Sequence, residues 1–189
     1  MRSLACHSGS TIAIFGGGPV GLAAVMGAVI QGCSTIILVE PMPARREIAI
    51  ELGATHVIDP AVGDLTEALR AIVPEGLDYA FDSSGVISVI EAGLAALGSH
   101  GAIGLVGVPK DPADSINVNI AALMTPGLRI IGIIEGDSDP QTFIPELLAH
   151  HASGRFPFDK LIKTYSLSEI NEAIAAQARG ECIKVVLLP

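Results

Sequence analysis

Three glycines at positions 16, 18 and 21, a proline at 19 and a glutamate at 40 are the residues whose types and spacing point to chemistry. Glycines spaced GxGxxG allow a tight turn with unusual dihedrals, a close approach of backbone to a bound group, and close seating of a helix on a sheet. The amides exposed at the start of such a helix, with the positive end of its dipole, hold phosphate. Pro19 suits the first helical position, because the amide it lacks would have no intrahelical partner there. A glycine-rich turn can also serve ordinary packing. Here the strand before it, the helix after it and Glu40, nineteen residues past Gly21, agree on a cradle for the pyrophosphate of a dinucleotide. A carboxylate at 40 accepts both ribose hydroxyls of NAD. It would repel a 2′-phosphate by about 4 kcal/mol per charge pair at ~4 Å, so NAD is favoured over NADP. Arg45 and Arg46 leave two readings open, a second acceptor for a 2′-phosphate or a solvated helix face.

The elements that must position these residues come from segmentation of an apolar run. Leu4 to Val39 contains no Asp, Glu, Lys or Arg, long enough to weigh as a membrane span, and Gly17 with Gly21 even supplies a GxxxG. GGGP at 16–19 and QGCST at 31–35 cut it into TIAIF, VGLAAVMGAVI and IILVE, each too short to cross. The pieces read as strand, helix, strand. Further strands are expected at HVI (56–58), LDYAFD (77–82), AIGLVGV (102–108) and LRIIGII (128–134), with helices in ARREIAIELG, DLTEALRAIV and VISVIEAGLAALG. Apolar strands alternating with helices predict an α/β, doubly wound parallel sheet, the Rossmann fold. At EGDSDP, 135–140, the alternation stops, and a helix, a short strand, a helix and a last strand (IKVVLL) follow. The expected division is therefore 1–136 and 137–189.

Composition narrows the function classes. The 189 residues, 50% hydrophobic, suffice for one sizeable core or one domain plus part of another, not two full domains. A net charge of −9 argues against nucleic acid, which requires a basic face, and against anionic lipid. Cys6, Cys33 and Cys182 are odd in number and far apart along the chain, without CxxC, which suggests a reduced, cytoplasmic protein. No targeting segment is read at the start. A methyltransferase shares the glycine loop and the acid, but the third glycine and the pattern continuing to a sixth strand favour the dinucleotide. A short-chain dehydrogenase would place a lysine four residues after a tyrosine, and neither Tyr79 nor Tyr165 has one.

Through FGGGPVGLAAVMGA, IILVEPMPARREIAIELGATHVIDP, LDYAFDSSG, GAIGLVGVP and GLRIIGIIEGDSDPQTFIPELL, the chain resembles the cofactor half of the zinc-dependent medium-chain alcohol dehydrogenases. IIEGDSDPQTFIPELL and FPFDKLIKTYSLSEINEA make it most similar to the aryl (benzyl) alcohol dehydrogenases. The resemblance implies that Gly16, Gly17, Gly18, Pro19, Val20 and Gly21 bind pyrophosphate, and that Glu40 and Arg45 bind the adenosine ribose, with Ser83 and Ser84 near it. It implies Val106, Gly107 and Val108 on the nicotinamide side, Ile133, Ile134 and Glu135 beside the nicotinamide amide, and Lys184 reaching the pyrophosphate. Val86 stands where the family often has a basic residue.

The family's zinc ligands belong to an amino-terminal domain that would precede residue 1. GHE is absent from this sequence, and Cys6 and His7 lie too close to the first strand to match the last ligand. The resemblance therefore implies the NAD(H)-binding part of an enzyme that transfers hydride between an alcohol and NAD, with zinc in the parent but not in this chain. The chain alone is expected to bind NAD(H) without oxidising alcohol. In the family, dimers join two cofactor-domain sheets edge to edge, so a homodimer is expected, with NVNIAAL and LRIIGII near the contact. The rival reading is a free-standing, non-catalytic NAD-binding module. Its discriminator is the tail, an apolar strand that needs a sheet to join and would invite self-association if left unpaired.

Other residues have ordinary readings. Asp139 with Pro140 reads as a helix cap and first-turn proline rather than a calcium ligand. His150 and His151 are adjacent and cannot form an i, i+4 metal pair, so a surface role is expected. His56 and His100 are placed at strand starts. Phe143, Phe156 and Phe158 are read as packing residues, and Asp82 as a group that satisfies loop amides.

Overall fold

Short β-branched runs form the strands, and the glycine and proline punctuation between them sets where helices begin. The computed structural model of the chain describes residues 1–189. In order come β1 (Thr11–Phe15), α1 (Pro19–Gln31), β2 (Thr35–Val39), α2 (Pro43–Glu51), β3 (His56–Ile58) and α3 (Leu65–Ile72). They are followed by β4 (Leu77–Asp82), α4 (Ile87–Ala96), β5 (Leu97–Leu105), α5 (Ile120–Met124) and β6 (Arg129–Gly132). The six strands pair in parallel in the order β3-β2-β1-β4-β5-β6, the doubly wound arrangement expected from the sequence. The chain starts centrally at β1, winds out to β3 and returns to β4 on the other side. That reversal opens a crevice beyond the carboxyl ends of β1 and β4.

Alternating side chains bury both faces of the sheet. Ile12 and Ile14 of β1 pack with Leu22, Val25 and Met26 of α1 in one core. Ala13 and Phe15 pack with Leu69 of α3 and Ile90 of α4 in the other. α1 starts at Pro19 as expected and stops at Gly32, whose φ of +76° closes the helix in the left-handed region that a Cβ disfavours. No helix is long and apolar enough to cross a membrane.

Several elements differ from expectation, β6 among them, which spans Arg129–Gly132 rather than 128–134. α4 ends at Ala96 and β5 begins at Leu97, because Gly98 and Gly101 let the strand lie directly on the backbone of Gly76 and Leu77. His100 therefore sits inside β5, at φ +60°, and not at a strand start; its amide bonds Pro126 O at 2.7 Å. β5 stops at Leu105 instead of Val108, since the amides of Val106 and Gly107 turn to Asp82 O at 2.9 and 3.1 Å. The unexpected α5 begins within NVNIAAL and runs to Met124, capped by Asn119, whose side chain accepts from Ala122 N.

Beyond β6 lie α6 (Pro140–Ala152), β7 (Ile162–Ser166), α7 (Ile170–Ala178) and β8 (Lys184–Leu188). Asp139 caps α6 by accepting from Gln141 N, with Pro140 in the first turn, as read from the sequence. The tail strand β8 finds its partner within the chain: it pairs in parallel with β7 in a separate two-stranded sheet.

Candidate functional site

The glycine loop leaves β1 at Phe15 and enters α1 at Pro19. Gly16 turns at φ +95°. A Cβ on Gly21 would lie 1.7 Å from Gly16 O, so the third glycine is what lets α1 close onto the loop. A Cβ on Gly17 would meet Glu40 Cγ at 2.8 Å, whereas Gly18 faces open space. Gly18 provides no side-chain cap, and Leu22 N is the first amide to bond back into the helix, at 2.9 Å to Gly18 O. The amides of Val20 and Gly21 are left without intrahelical partners beside that open space, where the helix dipole favours an anion.

Glu40 follows β2 and is buried, 3% exposed. Its Oε2 accepts from Gly17 N at 2.6 Å and its Oε1 from Met42 N at 2.9 Å, so the carboxylate ties the glycine loop to the turn after β2. Arg46 donates to the carbonyls of Glu40 and Pro41 at 2.6 and 2.7 Å and pairs with Asp59 at 3.1 Å. Of the two readings left open for the arginines, neither describes Arg46, which holds this turn. Arg45 Nη1 lies 3.9 Å from Glu40 Oε2, and its buried Nε has no partner. A buried N–H donor without a partner is uncommon in folded proteins.

Across the crevice, Ser83 fastens the loop after β4 to the glycine loop: its N and Oγ both donate to Phe15 O at 2.9 Å. Asp82 is fully buried and accepts from Ser84 N, Ser84 Oγ and Gly85 N at 3.0, 2.6 and 3.1 Å, satisfying loop amides as the sequence suggested. Gly107 packs against this loop, a Cβ there falling 2.3 Å from Gly85 N.

The structure thus brings Gly16 to Gly21, Glu40, Arg45, Ser83 and Ser84 together around one crevice. Val20, Val106, Ile133 and Glu135 meet around an adjoining cavity of about 410 Å3 with a largely apolar lining. Val108 and Ile134 turn outward, 85% and 77% exposed. Lys184 is exposed at the start of β8, opposite Ile162 in the two-stranded sheet.

Phe143, Phe156, Glu146 and His150 also line the cavity. Nothing in their spacing announces this, since α6 arrives from beyond the six-stranded sheet. His150 corrects the surface expectation: it faces the cavity, 3.6 Å from Glu146, with a buried Nδ1. His151 points elsewhere, its Nδ1 3.1 Å from Phe156 O and its ring against Phe158. Arg2 bonds Glu146 and holds its carboxyl below the ordinary carboxylate range. No three His, Cys, Asp or Glu side chains come together as a metal-holding group, so these residues do not fit a zinc site.

Comparison with known proteins agrees with this fold. The chain is 42% identical over 189 residues to a geraniol dehydrogenase of Castellaniella defragrans, covering all of this chain and 50% of that protein. The benzyl alcohol dehydrogenase of Acinetobacter calcoaceticus superposes with a TM-score of 0.94 at 35% identity, over 98% of this chain and 51% of that one. A zinc-binding dehydrogenase of Sinorhizobium meliloti, solved bound to NADP, superposes with a TM-score of 0.87 at 28% identity, over 97% and 54%. The chain spans about half the length of the curated relatives it matches. The profile of zinc-binding dehydrogenases matches residues 19–150, from the first residue of α1 through β6 and into α6. It takes in Glu40, the Ser83–Ser84 loop and the strand ends around the crevice, and by that match the chain belongs to the zinc-binding dehydrogenase family.

Proposed function

We propose that this chain is the NAD(H)-binding part of a zinc-dependent alcohol dehydrogenase that acts on aryl or other primary alcohols. The observation that carries the reading is the Gly16–Gly21 cradle, with the free amides of Val20 and Gly21 on one side and the buried Glu40 carboxylate beneath it. NAD supplies hydride acceptance when bound; this chain's residues bind and orient it. The pyrophosphate lies over the α1 amides, and the adenosine ribose at Glu40 and Arg45 with Ser83 and Ser84 close by. The nicotinamide lies toward Val106, Gly107, Val108 and Ile133 to Glu135, with Lys184 on the phosphate side. The relatives named for geraniol and benzyl alcohol support an alcohol with an allylic or aryl carbon. Glu40 supports NAD over NADP, although one relative was solved with NADP.

Residues 137–189 are the segment that joins the catalytic half, which supplies the zinc. Exposed Ile144, Leu148, Ile170 and Ile174 on α6 and α7 support that assignment. A cytoplasmic setting fits the three free thiols. The open edge of β6, with exposed Ile120, Met124 and Ile134 nearby, supports a homodimer joined through that edge. A second reading, a free-standing non-catalytic NAD-binding module, draws on β8, which finds β7 and needs no foreign sheet.

Fluorescence titration of the purified chain tests the first step. Saturable NADH binding, at least about tenfold tighter than NADPH, is expected, a gap of about 1.4 kcal/mol; absence of saturable binding would remove the reading. Alcohol-dependent NADH production by the 189-residue chain would refute its assignment as only the cofactor part. An open frame upstream of the Met1 codon that encodes GHE and a later cysteine separates the dehydrogenase from the free-standing module.

A further inference from the structure

Two acids close the neighbouring strands β2 and β3. Val39 and Ile58 are paired in register, so Glu40 and Asp59 each stand one step past that pair, and Glu40 N donates to Ile58 O at 3.0 Å. Like charges at neighbouring strand ends repel, and a cation relieves them. Arg46 of α2 reaches both residues. Its Nη1 donates to Glu40 O at 2.6 Å and Pro41 O at 2.7 Å, and lies 3.1 Å from Asp59 Oδ2. This placement runs against the helix. Arg46 N makes the first i to i−4 bond of α2, to Met42 O at 3.2 Å, in the turn where the dipole disfavours a cation. Asp59 offsets that cost. It is itself fixed, because its Oδ1 accepts from Ala61 N at 3.0 Å while Oδ2 faces Arg46. With the side chains 18% and 29% exposed, the pair is screened less than an ion pair on the open surface.

We propose that Asp59 is a specificity-determining residue for the cofactor and that it acts through Arg46, a proposal that rests on the NAD(H) site at Glu40. A dinucleotide with a 2′-phosphate needs a cation near the ribose acid, and the planar fork of arginine suits phosphate. Arg46 touches the backbone of that acid. Asp59 balances its charge and holds its Nη1 at the turn carbonyls, so a 2′-phosphate meets the Glu40 carboxylate without that help. Arg45, on the carboxylate side at 3.9 Å from Glu40 Oε2, is left unchanged in every variant below. Discrimination against the 2′-phosphate therefore depends on two acids. Glu40 repels it, and Asp59 occupies the cation that would offset the repulsion.

Asp59→Asn tests this with little disturbance of the turn. Its oxygen can still accept from Ala61 N, while its amide carries no charge and sets a donor against the Arg46 donor. Parallel NADH and NADPH fluorescence titrations of the purified chain are the readout. In Asp59→Asn, NADPH affinity is expected to rise about fivefold, with NADH affinity within about twofold of the parent. Asp59→Glu keeps the charge and is expected to keep the parent's preference. In an Arg46→Met background, Asp59→Asn is expected to lose most of its gain, because the effect runs through the guanidinium.

An Asp59 that only shapes the turn would weaken both cofactors together when replaced and leave their ratio alone, and that result overturns the proposal. So does a gain toward NADPH that persists undiminished in the Arg46→Met background. Asp59→Ser, a second neutral variant with an oxygen for Ala61 N, supplies the same readout if the asparagine chain does not fold. Absence of saturable NADH binding by the parent removes the cofactor reading and this proposal with it. A parent that binds NADH while Asp59→Asn leaves the ratio unchanged overturns this proposal alone.

Discussion

At the scale of single residues, Glu40 carries the most information. Its carboxylate serves two amides of its own chain, Gly17 and Met42, and the proposed ribose contact uses lone pairs that remain. Glu40→Gln preserves the volume but removes the charge and replaces one acceptor oxygen by a donor facing a backbone amide. NADH affinity in this variant is expected to fall about tenfold, about 1.4 kcal/mol, while NADPH affinity stays the same or rises, so the preference between them collapses. Equal weakening toward both cofactors, in parallel titrations, would show that Glu40 only shapes the loop. The place of Glu40 just past the end of β2 was readable in the sequence. Its grip on Gly17 was not, because which amide lies under a carboxylate depends on the fold of two loops.

At the scale of elements, the junction of β1 with α1 separates two glycines that look equivalent in the motif. Gly21→Ala drives a methyl into the backbone oxygen of Gly16, which no side-chain rotation can relieve. α1 must shift off the loop, with an expected destabilisation of about 2 kcal/mol and loss of NADH binding. Gly18→Ala adds a methyl to open space at φ −76°, a conformation any residue adopts. Its stability is expected within about 0.5 kcal/mol of the parent, yet its methyl occupies the cradle and weakens NADH binding. Urea melts and NADH titrations of both variants check this split. A Gly18→Ala chain that binds as well as the parent would move the phosphate away from that position.

For the whole molecule, the sheet has an open edge at β6, and α5 beside it carries exposed Ile120 and Met124. A mass near twice 19.4 kDa is expected in solution, with Met124→Glu shifting it to the single-chain value. Because Met124 is mostly exposed, that change leaves the folded chain itself within about 0.5 kcal/mol of the parent. Light scattering of both chains decides it, and a parent that runs as a monomer would exclude the edge as a stable contact.

The sequence by itself determined the alternation of strands and helices, the parallel sheet, the glycine turn at the head of α1, and the acid at the end of β2. These depend on local conformational preference and on the period of apolar residues, which act within a few positions along the chain. Tertiary structure alone decided that Arg46 is spent on carbonyls and Asp59, that His150 faces a cavity, and that β8 pairs with β7. Each of these joins residues through elements that pack against one another in space. Their partners are set by which faces the sheet buries and where loops cross its edge, and no spacing along the chain records that.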